Sequence, residues 1–115
     1  MTAHEMSQEE RAVWFALRQG AANARPLAEI AAETGLSRRA AEEAMEALRA
    51  ASHEPICAGA RGYYEASTIA ELDAYLAAFE SRIRTMFRTR RGLRAARRRM
   101  VDERTGQQTL RWAAA

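Results

Sequence analysis

The stretch that decides the fold is LAEIAAETGLSRRAAEEAMEALRAA, residues 27–51. Leu27, Ile30 and Ala31 share one side of a helix whose first turn suits Pro26. Gly35 allows the left-handed residue that closes such a helix, and Leu36 plugs the corner. Ser37 then caps a second helix, with Ala41, Ala44, Met45 and Leu48 on one face. Helix, short glycine turn, helix is the helix-turn-helix pattern.

Upstream, Ser7 and Glu10 form a capping box for a helix over residues 8–19, with Val13, Ala16 and Leu17 as its buried stripe and Gly20 at its end. Trp14 and Phe15 are adjacent, so at 100° per residue one of them leaves that stripe. Downstream, Pro55 stops the second helix. Ile56-Cys57-Ala58 and Tyr63-Tyr64-Glu65 flank a four-residue loop, Gly59 to Gly62, which predicts a β-hairpin. Cys57, with no thiolate activator nearby, reads as a small apolar filler in the strand.

Thr68-x-x-Glu71 opens a further helix with a capping box. Ile69, Leu72, Leu76, Phe79, Ile83 and Met86 recur at alternating three- and four-residue steps, the seam of a coiled coil. Continuing the register gives Arg90, Leu93, Arg97 and Met100, so the seam degrades after Met86. A helix over 69–101 would be about 50 Å long. Gly92 weakens it by roughly 1 kcal/mol relative to Ala. Three segments are expected: a domain over 7–66, a long helix over 67–103 carrying the dimerisation seam and then the basic run, and a flexible tail over 104–115.

Composition bounds the function. The 115 residues make one domain with an extension rather than two independent cores. The 27 alanines and 7% aromatic content make the expected core thin and helical. All 18 basic residues are arginine. Residues 1–80 hold seven Arg and 13 acids, net −6, while residues 81–115 hold 11 Arg and two acids, net +9. A mildly acidic body with a strongly basic tail points to an anionic partner. There is no apolar run near membrane-spanning length, and MTAHEMSQEE lacks the shape of a signal peptide, so the expected location is cytoplasmic, with no membrane partner. A single cysteine gives no disulfide framework.

The order helix, helix-turn-helix, hairpin resembles winged helix-turn-helix DNA-binding domains, over about residues 8–66. The motifs carrying the resemblance are PLAEIAAETGLSRRAAEEAMEALRAA and the PICAGARGYYEA hairpin. With GYYEASTIAELDAYLAAFESRIRTMFRTRRGLRAARRR, the layout also looks like small winged-helix proteins encoded by phages and prophages, often near replication genes. The resemblance implies a mainly α fold: three helices plus a β-hairpin wing, then a long Arg-rich C-terminal helix. It also implies that residues 37–50 enter the major groove while the wing tip, 59–62, touches backbone or minor groove.

Residue chemistry bears on that expectation. Arg38 and Arg39, after the cap Ser37, occupy a first helical turn where the macrodipole disfavours cations. Phosphate or guanine contacts would favour them there, and so would i,i+4 pairing with Glu42 and Glu43. Arg61 at the wing tip reads either as a DNA contact or as an ordinary solvated turn residue. Glu42, Glu43 and Glu46 depart from the usual DNA reader and would repel phosphate. The basic helix compensates: Arg82, Arg84, Arg88, Arg90, Arg91, Arg94, Arg97, Arg98 and Arg99 stand between Ser81 and Val101 without one acid. Such a run repels itself unless it lies on nucleic acid or on an acidic surface.

No catalytic constellation is present. His4 and His53 have no ligand spacing around them, and no GxxxxGK[ST] or GxGxxG occurs. The expectation is no enzyme, no cofactor, no metal and no small-molecule substrate. The leading reading is a dimeric protein that binds double-stranded DNA in transcription regulation, recombination or replication. The alternative is a protein–protein adaptor with an acidic winged helix and a basic partner-binding helix. Gln107, Leu110 and Trp112 fit Q-x-x-L-x-aromatic, which resembles the peptide by which bacterial replication factors dock on the DNA sliding clamp. Folding of Leu110 and Trp112 back onto the thin core is the competing reading.

Overall fold

Helices come first because alanine-rich, periodically apolar segments bury one stripe each against their neighbours. The computed structural model describes the backbone of residues 5–114 and the side chains of 5–107. Among these the fold is mainly α, with α1 (Gln8–Ala16), a short 3-10 turn (Ala21–Asn23), α2 (Leu27–Thr34), α3 (Arg38–Ala50), β1 (Ile56–Gly59), β2 (Gly62–Glu65) and α4 (Ile69–Ala114). Two compact units result, one ending at Tyr75 and the other beginning at Leu76.

In the first unit α1, α2 and α3 pack around Val13, Ile30, Met45 and Leu48, each 1% exposed or less. Ile56 from β1 closes the same cluster, with Leu27 and Leu36 packed against it. The stripe expected on α3 is the one buried: Ala41, Ala44, Met45 and Leu48. Gly35, at φ 74°, ends α2 in the left-handed region, and Ser37 Oγ accepts from the Ala40 amide at 3.1 Å. The Ser7–Glu10 capping box is also formed. Of the adjacent aromatics, Phe15 leaves the core at 77% exposure while Trp14 stays half-buried.

Helix α1 is shorter than the 8–19 span expected from sequence. Leu17 is already extended, and the chain beyond it runs along the outer edge of β2. The Glu65 amide donates to the Arg18 carbonyl at 2.9 Å, and the Gly20 amide to the Glu65 carbonyl at 2.8 Å. Strand pairing therefore captures residues that helical propensity alone would leave in α1. The hairpin is also tighter than expected. β1 and β2 pair antiparallel from Ile56↔Glu65 to Gly59↔Gly62, so the turn is only Ala60-Arg61.

The first unit runs to Tyr75, past the boundary at 66, because the start of α4 is tied into it. Glu71 accepts from the Ser67 amide at 3.0 Å and from the Ala21 amide at 3.3 Å. These two donors lower the pKa of its carboxyl. Thr68 Oγ1 accepts from the Glu71 amide at 3.1 Å, so the expected cap forms, with the reciprocal bond going to Ser67 instead of Thr68. One turn on, the Arg49 guanidinium donates to the Tyr75 hydroxyl at 2.6 Å and lies 5.6 Å from its ring centroid.

The second unit is the rest of α4. Its backbone stays helical through Ala114, where a flexible tail over 104–115 was expected. Helix nucleation is the costly step, and a formed helix extends readily through Gln, Leu, Arg and Ala; Gly106 alone does not stop it.

Candidate nucleic-acid interface

Three surfaces carry the arginines singled out in the sequence. On α3, Ser37 spends its hydroxyl on the helix cap, which projects Arg38 and Arg39 from the first turn. Both are exposed. Arg39 Nε sits 3.2 Å from Glu43 Oε1, one of the two i,i+4 pairs the sequence offered. The partners are 89% and 69% exposed, so solvent screens most of the attraction. Glu42 and Glu46 stand exposed on the same helix.

On the hairpin, Arg61 occupies the second position of the two-residue turn and is exposed. It lines a shallow cleft of about 320 Å³ with Ala21, Ala24, Gly59 and Tyr64. That cleft carries one cation and no acid. On the same hairpin Cys57 is fully buried and pairs in register with Tyr64. Burial pushes the Cys57 thiol up, against a smaller opposing pull from the Tyr64 hydroxyl, so the sulfur stays protonated and acts as filler.

On α4, every arginine from Arg82 to Arg99 is exposed. Their spacing distributes them around the helix: Arg84, Arg88, Arg91 and Arg98 along one face, and Arg90, Arg94 and Arg97 along the line that continues Leu76 and Ile83. Local contacts hold some of them. The Arg82 guanidinium lies 5.6 Å from the Phe79 ring centroid, Arg88 donates to Thr85 Oγ1 at 3.3 Å, and Arg99 Nε lies 3.7 Å from Glu103. The apolar seam is exposed as well: Ile69, Leu76, Phe79, Ile83 and Met86 are all open to solvent, and Leu72 is half-buried. Phe87, Leu93 and Met100 extend that surface.

Sequence reasoning missed Arg25. It is 6% exposed, donates to the Ala16 carbonyl at 2.9 Å and to Glu29 at 3.2 Å, and pairs with Glu33. The Glu33 hydrogen bond raises its pKa against the opposing effect of burial. Its backbone exchanges two hydrogen bonds with Tyr63, at 2.9 and 2.8 Å. Arg25 therefore joins α1, α2 and the hairpin. The signal available in sequence was Glu29, four residues on, a weak one. The function of Arg25 is architectural: it fixes the second edge of β2, and with it the hairpin that presents Arg61.

Gln107 is exposed on the α4 helix, while the side chains of Leu110 and Trp112 lie outside the described residues, as does His4. The helical backbone there differs from the extended tail that the clamp-docking expectation assumed. Among the described residues no group of three His, Cys, Asp or Glu side chains could hold a metal ion, and no helix is long and apolar enough to cross a membrane. No protein-family model, no curated protein and no solved structure matches the chain.

Proposed function

We propose that this chain is a winged-helix DNA-binding protein of phage type, acting in transcription regulation, recombination or replication. The observation that carries this reading is the arginine run of α4, nine exposed side chains between Ser81 and Val101 with no acid among them. An isolated helix with that pattern is destabilised by its own charge; a polyphosphate surface reverses the sign of the effect. The pair α2 and α3 around Gly35, followed by a tight hairpin, supports the winged-helix assignment, with Arg38, Arg39 and Arg61 as additional phosphate contacts. No residue is assigned to catalysis.

The test is binding of a fluorescent duplex measured across salt concentration. Counterion release requires log K to fall with log salt at a slope near −0.9 per neutralised phosphate. Replacing Arg90, Arg91, Arg97 and Arg98 with Ala removes up to four contacts and should flatten the slope by about 3.6. A second reading, the protein adaptor, is favoured by Glu42, Glu43 and Glu46 on α3. Absence of duplex binding at low salt would select it. Clamp docking through Gln107, Leu110 and Trp112 belongs to that second reading and requires the last turns of α4 to unwind into an extended segment.

A further inference from the structure

We infer that two copies of the chain pair in parallel through the stretch from Leu76 to Met86, and that their helices part beyond it so that the two arginine segments straddle one DNA duplex as a fork. The inference rests on the DNA-binding reading and adds the partner, its orientation and the point where pairing ends.

The seam supplies the occupant. Leu76, Phe79, Ile83 and Met86 are 44%, 38%, 38% and 70% exposed, four large apolar side chains along one line of α4. In heptad terms Leu76 and Ile83 fall at a, and Phe79 and Met86 at d. Flanking charges choose the orientation. In parallel register each g position meets the partner's following e position. This sets Tyr75 against Glu80, Arg82 against Phe87, and Thr89 against Arg94, with no like-charge contact. Antiparallel pairing of the same four layers would set Glu80 beside the partner's Glu80 and Arg82 beside the partner's Arg82. Arg82 already lies along the aromatic rim of the seam, over Phe79, the disposition that parallel contact with the partner's Phe87 needs.

The end of pairing is written in the next two a positions. Arg90 and Arg97 would each face their own copy across a desolvated core layer, where an unpaired charge is costly. Leu93 and Met100 remain at d but cannot close a layer between two arginine pairs. Gly92 lies between the two arginine layers and lowers the cost of bending there. Past Met86 the arginines cover an arc of roughly 220° of the helix at 3.6 residues per turn. An arc that wide suits a helix flanked by phosphates on both sides. The major groove, about 12 Å wide, admits a helix in that setting. Basic helices that fork from a dimeric coil across the major groove are an established docking geometry. Residues 88–104 span about 25 Å, some seven base pairs on each side.

Four apolar layers make a short coil, so pairing and DNA binding should reinforce one another. The experiment uses the full chain carrying Met86→Cys or Met100→Cys, both d positions, so that the Arg90 and Arg97 layers stay intact. Native Cys57, fully buried, is the unreactive control. Each protein is oxidised with and without a 20-bp duplex at low salt and resolved on a non-reducing gel, with duplex binding followed in parallel. The expected result is a Met86→Cys cross-link that increases on the duplex, no Met100→Cys cross-link, and duplex affinity at least about tenfold higher for the cross-linked Met86→Cys dimer. In the antiparallel alignment the two Met86 positions lie about 15 Å apart, beyond disulfide reach. Binding without a Met86→Cys cross-link overturns the fork and leaves the DNA reading intact. Cross-linking at both positions shows a continuous coil and also overturns it. Failure of the unmodified chain to bind duplex overturns the DNA reading and the fork together.

Discussion

Replacing Gly62 with Ala should break the contact that holds the hairpin to the helices. Gly62 has φ 121°, and a Cβ there would fall 2.1 Å from the Arg25 carbonyl oxygen, 2.3 Å from its carbon and 2.6 Å from the Pro26 nitrogen. All three are backbone atoms, so no side-chain rotation relieves the overlap. The Arg25 strand must retreat by about 1 Å or more, which lengthens both hydrogen bonds it exchanges with Tyr63. Each is worth about 1 kcal/mol net, and the residue conformation adds roughly 1–3 kcal/mol of strain. The expected loss is about 3–5 kcal/mol, a large part of what a small domain has. Urea unfolding monitored by Trp14 fluorescence, in a Trp112→Phe background, reads the first unit. Gly35→Ala is the matched control: its φ is 74° and nothing lies within 4 Å of the added Cβ, so only the conformational cost of about 1 kcal/mol remains. If Gly62→Ala costs no more than Gly35→Ala, the reasoning from close approach is wrong.

Arg25, Glu71 and Tyr75 each tie the first unit together and each carries an expected outcome. Arg25→Ala should cost about 2–3 kcal/mol in the same urea assay through lost packing and the orphaned Ala16 carbonyl, because Glu29 and Glu33 are about half exposed and rehydrate. Glu71 has a folded pKa below its ordinary 4.5, so its contribution is present above that value and lost as pH falls through the folded pKa; comparing melting midpoints from pH 6 to pH 3, Glu71→Gln should flatten that dependence. Tyr75→Phe should remove the Arg49 hydrogen bond but keep the ring under the guanidinium, lowering stability by about 1 kcal/mol in urea.

What could be read from sequence was what is local. The faces of α2 and α3, the caps at Ser7 and Ser37, and the left-handed Gly35 each depend on residues within about one turn, and each formed as the spacing predicted, while of the Thr68–Glu71 box only the Thr68 half formed. What was missed depends on partners far along the chain. Helix α1 stops at Ala16 because Arg18 and Gly20 pair with Glu65, some 45 residues away. Arg25 looked like one more surface arginine because its acceptors, Ala16 and Glu33, are brought together by the packing of α1 against α2. Gly62 was legible as a turn residue, but its close approach to Arg25 was not. At the candidate interface, arginine exposure on α4 follows from a helix with charge on most of its faces. The pairing of Arg39 with Glu43 was one of two readings the spacing left open.

That pairing does not count against DNA contact by α3. Both partners are largely solvated, and such an ion pair contributes 0–1 kcal/mol. On a duplex, Arg39 would exchange Glu43 for phosphate at little cost, and the first-turn position that the macrodipole disfavours would gain an anion in return. The larger obstacle is what remains on the helix after the exchange: Glu42, Glu46 and a released Glu43, all exposed. Each opposes phosphate over a Debye length of about 10 Å at 0.1 M salt. Helix α4 carries no such penalty between Ser81 and Val101. If the protein binds duplex, its salt slope should therefore be set mainly by α4. The acidic α3 then discriminates by restricting which approaches are tolerated, since specificity is built from repulsive contacts as well as attractive ones.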